Sequence, residues 1–296
     1  MLTGKMNDSL IRNVSDTAFM AAAYRAIESE RPDALFHDPL ASHLCGQQGM
    51  RIVAGLPKKV FIGGWTVVIR TRVIDEQLQS AIAGGIDTIV NLGAGLDTRP
   101  YRMDLPDSLH WIEIDYPHII ELKETVLRDE KPRCRLERIK LDLADRAARQ
   151  GVLAKIAAGS GNILVLTEAV IPYLAEDIVA SIAGDLRAHP AIKYWIVDYF
   201  SPEAHRYRQK NRMDQLSAPF LFGPRDYFGF FAGLGWRPKE IRYLAKEADR
   251  FNRPPSFPAV IQWFTRVMGL FMSRERREEM KKFTGYVLFE PSAKTV

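Results

Sequence analysis

The sequence predicts an α/β protein built on a doubly wound, mostly parallel sheet, and three observations carry that expectation. Five short strand-like runs alternate with helical patterns long enough to serve as crossovers. The first of these runs opens directly into Gly93-Ala94-Gly95, where a parallel sheet characteristically admits a ligand. The 296 residues, 47% hydrophobic and 26% charged, are enough to enclose a sizeable core in one large domain with additions.

The elements follow in chain order. Asp16 and Thr17 offer side-chain oxygens ahead of Ala18-Phe19-Met20-Ala21-Ala22-Ala23-Tyr24, a run of helix formers that ends before Pro32. This predicts an N-terminal helix outside the core sheet. Asp38-Pro39 punctuates the chain, and the stretch to Pro57 reads as short helices and loops. Over residues 70–82 the apolar positions Val73, Ile74, Leu78, Ala81 and Ile82 recur at helical spacing, and Gly84-Gly85 stops the helix.

Residues 87–92 read as a buried strand, and further strands are expected at 109–114, 136–141, 163–166 and 192–197. Helices are expected between them near 119–128, 145–157 and 176–188. Residues 201–224 are polar, aromatic and turn-rich, and the reading is a cover over the sheet's ligand edge. A last strand pair, 236–244 and 286–290, brackets an insertion with a helical run at 260–272. That run is too apolar for a freely solvated helix. It is read as core or lid packing, and the alternatives are the lining of an acceptor pocket or, with Arg274, Arg276, Arg277, Lys281 and Lys282, a membrane interface.

The net charge of +5, from 41 basic against 36 acidic residues, is mild. It suits anionic small molecules and lacks the dense basic face of a nucleic-acid binder. Cys45 and Cys134 stand in unrelated contexts, which predicts two reduced thiols in a cytoplasmic protein and neither a disulfide framework nor a metal site. Residues 1–15 mix Lys5, Asp8 and Arg12 with polar residues and lack the apolar block of a signal peptide, and no uncharged apolar stretch of about 18 residues occurs, so neither a signal peptide nor a spanning helix is expected. Oligomeric state is not encoded legibly.

The chemistry concentrates at strand ends. Glycine in Asn91-Leu92-Gly93-Ala94-Gly95 lets backbone amides approach a ligand closely, because no Cβ intervenes. Asp115 follows the next strand, 20 residues beyond Gly95, where a carboxylate accepts both hydroxyls of a ribose. Glu113 competes for that role but reads better as a salt-bridged strand residue. The third glycine of a dinucleotide fingerprint is missing, and Asp97 stands nearby to repel a pyrophosphate. The pattern therefore favours a phosphate-free nucleoside such as S-adenosylmethionine over a nicotinamide or flavin. Asp142 with Leu143 is placed to hold the adenine, and Glu168 to meet the donor's ammonium or the acceptor.

Several strings are specific enough to mark a family. Thr17-Ala18-Phe19-Met20-Ala21-Ala22-Ala23-Tyr24-Arg25-Ala26, Phe36-His37-Asp38-Pro39 and Arg70-Thr71-Arg72 precede the glycine loop. Leu92-Gly93-Ala94-Gly95-Leu96-Asp97-Thr98-Arg99-Pro100-Tyr101-Arg102, Glu113-Ile114-Asp115 and Glu168-Ala169-Val170-Ile171-Pro172-Tyr173-Leu174 complete the set. Over roughly residues 17–200 the chain resembles bacterial S-adenosylmethionine-dependent methyltransferases related to leucine carboxyl methyltransferase.

The resemblance implies a class I methyltransferase-like, mostly parallel seven-stranded sheet with an N-terminal helical extension and a C-terminal insertion. It implies one domain, with a helical cap at 1–69, a donor-binding core at 70–200 and an acceptor-side cover at 201–296. By the same carry-over Arg72 pairs with the donor's carboxylate, Arg70 being a close rival, and Gly93, Ala94 and Gly95 form the donor loop. Asp115 then binds the ribose, Asp142 and Leu143 frame the adenine, and Glu168 lies near the methyl-transfer end.

The expected reaction is O-methylation of a small-molecule carboxylate or hydroxyl by in-line displacement. A carboxylate acceptor is already ionised, whereas a hydroxyl acceptor calls for a base. For that base His205, Asp198 and Tyr199 are the candidates, with Tyr173 as an orienting donor. The rival functions are protein carboxyl methylation, a nicotinamide-dependent oxidoreduction and a catalytically silent binding protein.

Overall fold

In a computed structural model, which describes residues 14–56, 61–210, 219–255 and 273–293, three helices precede the first strand. These are α1 (Val14–Ser29), α2 (Ala41–Gly55) and α3 (Phe61–Ala83). Helix α3 begins well upstream of the periodic stretch at 70–82, so the expected boundary between cap and core at residue 69 falls inside one continuous helix.

The strands are β1 (Thr88–Leu92), β2 (His110–Asp115), β3 (Arg135–Lys140), β4 (Ile163–Thr167), β5 (Ile192–Phe200), β6 (Trp236–Tyr243) and β7 (Thr284–Pro291), with β-branched content highest in β1 and β4. Between them run α4 (Arg99–Arg102), α5 (Pro117–Val126), α6 (Arg146–Ala158) and α7 (Glu176–Arg187). After β5 come α8 (Pro202–Lys210), α9 (Tyr227–Gly233) and, beyond β6, α10 (Leu244–Arg250). All seven strands join one sheet in the order β3-β2-β1-β4-β5-β7-β6. The first five are parallel, and β7 runs antiparallel between β5 and β6.

The chain lays β2 and β3 on one side of β1 and then returns to place β4 on the other. That reversal is a topological switch point, and the crevice for a ligand opens at the carboxyl ends of the strands beside it. The side-chain alternation of β1 shows why the sheet is filled on both faces. Val90 and Leu92 pack on one side with Leu153, Ile156, Ile182 and Leu186 from α6 and α7. Ile89 packs on the other with Ile69, Val73, Ile74 and Leu78 from α3. Every residue of β1 and β4 is buried, as the apolar runs predict, while edge strand β3 is half exposed.

A third cluster joins α1 and α2, through Ala22, Ala23, Leu40, Leu44 and Cys45, to Leu96, Tyr101 and Ile119. The N-terminal helix therefore lies outside the sheet as expected, yet it is packed directly on the segment that follows the glycine loop. Within 201–224 the expected irregular cover contains a helix, α8. Ser201 caps it by accepting the Ala204 N–H at 3.1 Å, and Pro202 occupies its first turn, where a missing N–H is harmless. The helical run expected at 260–272 lies outside the described residues. Among the described residues, no helix is long and apolar enough to cross a membrane.

Candidate functional site

A cavity of about 240 Å³ opens at the switch point, between the ends of β1, β2 and β4 and the first turns of α1. Gly93, Ala94, Gly95, Asp115, Asp142, Leu143 and Glu168 all line it. Residues far apart in sequence meet there because each follows the carboxyl end of a parallel strand.

The glycine loop turns sharply after β1. Gly93 adopts φ +70° and Gly95 φ +49°, left-handed values that disfavour side chains. The Gly93 and Ala94 amides both donate to the Ile114 carbonyl, at 2.8 and 3.2 Å, which locks the loop onto β2. A Cβ on Gly93 would come within 2.4 Å of Val170 Cγ2, so the loop and the segment after β4 touch where only glycine fits.

Asp115 ends β2 and is buried. Its Oδ2 accepts the Gly95 N–H at 2.6 Å and its Oδ1 accepts the Tyr116 N–H at 2.7 Å. Burial nevertheless raises its pKa above the ordinary carboxylate value, with those two amides opposing the rise. Each oxygen keeps a lone pair for a further donor. Glu113, the rival carboxylate, is fully buried between Lys123 at 2.7 Å and Arg138 at 2.9 Å and does not line the cavity. It is the salt-bridged strand residue that the sequence suggests.

At the next strand end, Asp142 Oδ1 accepts the Ala144 N–H at 2.9 Å. The Leu143 carbonyl accepts from the buried Arg149 guanidinium, which also pairs with Asp185 at 2.6 Å. This buried arginine on α6 fixes the turn that carries Leu143.

Arg99 is the electrostatic hub. Only 2% exposed, it pairs with Asp75 of α3 at 2.7 Å, Asp97 at 2.7 Å and Glu168 at 2.8 Å. Burial opposes ionisation of Asp97 and Glu168, and the neighbouring cations together, Arg99 foremost, outweigh it, holding both carboxyls below their ordinary pKa values. Asp97 also accepts from Asn91 Nδ2 at 2.9 Å and from the Arg99 amide at 2.9 Å. Asp97 lines the cavity as an ionised carboxylate, and its bonds to Asn91 and Arg99 also brace the loop.

The chain belongs to the leucine carboxyl methyltransferase family. The model for that family matches residues 18–186, a span that contains every lining residue of the cavity but Ser15 and Thr17. The chain is 35% identical over 275 residues to a provisionally named S-adenosyl-L-methionine-dependent methyltransferase of Streptomyces coelicolor, covering 86% of this chain and 94% of that one. It is 30% identical over 262 residues to another from Streptomyces avermitilis, covering 82% and 89%. The fold is similar to a crystal structure of a provisionally named methyltransferase from Thermobifida fusca, with TM-score 0.56, 13% identity and 97% coverage of both chains. This is accordingly an S-adenosylmethionine-dependent methyltransferase with the class I sheet.

Within this leucine carboxyl methyltransferase family member, the two arginines of Arg70-Thr71-Arg72 part company. Arg70 lines the cavity and lies 2.9 Å from the Glu168 carboxylate, an ion pair without hydrogen-bond alignment. Arg72 is 39% exposed, pairs with Glu76 one turn on at 3.2 Å, and does not line the cavity. Expecting Arg72 in the site is thus corrected to Arg70. Two residues along a helix rotate a side chain by about 200°, so only one of the pair can face the cavity.

The base candidates separate as well. His205 sits on α8 against Phe200 and Phe220, and Tyr199 packs among Tyr227, Phe228 and Tyr243, its hydroxyl pushed by burial to about 12. Neither lines the cavity, whereas Tyr173 does. Asp198 is buried on β5 and does not line it.

Other residues were not assigned a place from the sequence. Ser15, Thr17, Met20 and Arg25 of α1 form a wall of the cavity. Arg25 donates to the Leu96 carbonyl at 2.6 Å and to Asp38 at 2.8 Å. Asp38 in turn accepts from Thr98 at 2.6 Å. The family strings, which contain all of these residues but Ser15, were the available signal.

Proposed function

We propose that this cavity holds S-adenosylmethionine, with Asp115 accepting the ribose hydroxyls, Asp142 and Leu143 framing the adenine, and Arg70 with Glu168 receiving the amino-acid end. The observation that carries the reading is Asp115. A buried carboxylate that already accepts one backbone amide on each oxygen, and retains a lone pair on each, suits two neighbouring hydroxyl donors. Asn91 Oδ1 is a second point in favour, being a buried acceptor at the cavity with no hydrogen-bond partner among the described residues. The space kept open at Gly93 is a third, since a Cβ would fill it.

Bound in this way, the donor supplies an electrophilic methyl group on a sulfonium. The protein's part is to orient donor and acceptor and to exclude water. Helix α1 supports that role by walling the cavity, and Arg99 does so by fixing the glycine loop and Glu168 together.

The acceptor atom in this reading is an oxygen of a small molecule, a carboxylate or hydroxyl, in a cytoplasmic setting that suits two free buried cysteines. A carboxylate is the better fit. The histidine and tyrosine candidates for a general base stand away from the cavity, and an ionised acceptor requires none. Protein carboxyl methylation is the alternative acceptor class, separated by assaying free carboxylic acids against peptides with free C-termini.

Titration calorimetry with S-adenosylhomocysteine tests the donor assignment. Asp115→Ala is expected to bind at least about tenfold more weakly, the loss of charge-assisted hydrogen bonds. Unchanged affinity would remove the site from this cavity.

A further inference from the structure

Past the end of β4 the backbone does something unusual for its sequence. Ala169 adopts φ +56°, a left-handed conformation in which an L side chain is strained, and it stands between two residues that line the cavity. Before it is Glu168, directed at Arg99 and Arg70; after it is Val170, packed on Gly93. A residue persists in such a conformation only when its surroundings hold it.

What holds it is Asp198. The Ala169 N–H donates to both carboxylate oxygens of Asp198, at 3.0 Å each. Asp198 is fixed in turn from two other elements: Tyr286 Oη on β7 donates to Oδ1 at 2.7 Å, and Tyr227 Oη on α9 donates to the Asp198 carbonyl at 2.5 Å. The carboxylate itself does not line the cavity, and the hydrogen bond that links it to the lining residues runs through the Ala169 corner.

We propose that Asp198 is a positioning residue for methyl transfer, gripping the Ala169 amide so that Glu168 and Val170 are set against the glycine loop. The proposal rests on the reading of the cavity as the donor site. It also makes donor binding sensitive to acid, because the grip is strongest when the carboxylate is ionised. Burial pushes the Asp198 carboxyl up to about 6, Tyr286, the Arg70 charge and the Ala169 amide oppose the rise, and Glu168 adds to it. Of the titratable or charged groups around it, Arg70 therefore favours the ionised form, Glu168 disfavours it, and the hydroxyls of Tyr286, Tyr227 and Tyr173 are themselves held neutral by burial.

The test compares wild type, Asp198→Asn and Asp115→Ala in the full chain, measuring the Kd for S-adenosylhomocysteine from pH 5 to pH 8. Asparagine keeps the shape but cannot titrate, and any titration of Asp115 is common to both proteins and cancels in their ratio. Asp198→Asn is expected to bind about tenfold more weakly than wild type at pH 8, the ratio falling towards one at pH 5. Tyr286→Phe supplies a second variant, and it is expected to move the acid loss of affinity to higher pH. A ratio that stays constant with pH, together with an unmoved Tyr286→Phe profile, overturns the positioning role alone if Asp115→Ala still binds weakly. Full affinity in Asp115→Ala overturns the donor reading and this proposal with it.

Discussion

The guanidinium of Arg99 lies 2.8 Å from the Glu168 carboxylate, 69 residues away in sequence, and joins the end of β4 to the glycine loop after β1. Asp75 and Asp97 are its other carboxylate partners among the described residues, so three carboxylates share one buried arginine. Removing the cation leaves them in a low-dielectric site with less compensation. Arg99→Ala is expected to lower stability by about 3–5 kcal/mol in urea unfolding. Arg99→Lys should fall between the two, because an ammonium keeps the charge but lacks the fork that meets several carboxylates at once.

The contrast between Arg70 and Arg72 is checked by two single substitutions. Arg70→Ala should weaken S-adenosylhomocysteine binding by about tenfold or more, since it removes a cavity cation and leaves Glu168 with Arg99 alone. Arg72→Ala breaks only a half-exposed pair with Glu76, which on helix surfaces is worth about 0.3–0.5 kcal/mol, and affinity should hold. Equal losses in both variants would contradict the placement.

Gly93→Ala combines two penalties. The residue sits at φ +70°, and the added methyl would stand 2.4 Å from Val170 Cγ2. Donor affinity and melting temperature should both fall, the stability loss being about 1–3 kcal/mol. Adding Val170→Ala clears the steric part only, so partial recovery is expected and full recovery would show that backbone strain contributes nothing.

These contrasts also mark what the sequence made legible. Strand positions were legible because strand-like runs alternate with helices, and the site at their ends followed because a parallel sheet brings Gly93, Asp115, Asp142 and Glu168 to one edge. The choice between Arg70 and Arg72 was not, because the periodic stretch marks the helix from residue 70, whereas α3 begins at Phe61 and its packed face sets the rotation. The bracing of the loop by Asp97 was hidden for a different reason. It depends on the carboxylate's partners, Asn91 and Arg99, and no spacing rule states them. The wall supplied by α1 depends on tertiary packing against Leu96 and Ile119, which local patterning does not reveal.

Asp198 links site geometry to global stability with opposite signs. Its carboxyl is displaced from the ordinary 3.8 to about 6 in the folded chain, chiefly by burial. Between those values the folded state holds a proton that the unfolded state has released, so stability falls as pH rises through this window and levels off above about 6. The displacement corresponds to about 3 kcal/mol withheld from the folded state at neutral pH. Asp198→Asn cannot ionise, so it should melt at a higher temperature than wild type at pH 8, with the two curves converging near pH 4. The same variant is expected to bind the donor more weakly at pH 8, where the ionised side chain grips Ala169. Melting curves across pH 4–8 check the sign: a variant less stable than wild type at pH 8 would mean that the ionised carboxylate's contacts with Ala169 and Tyr286 outweigh its burial.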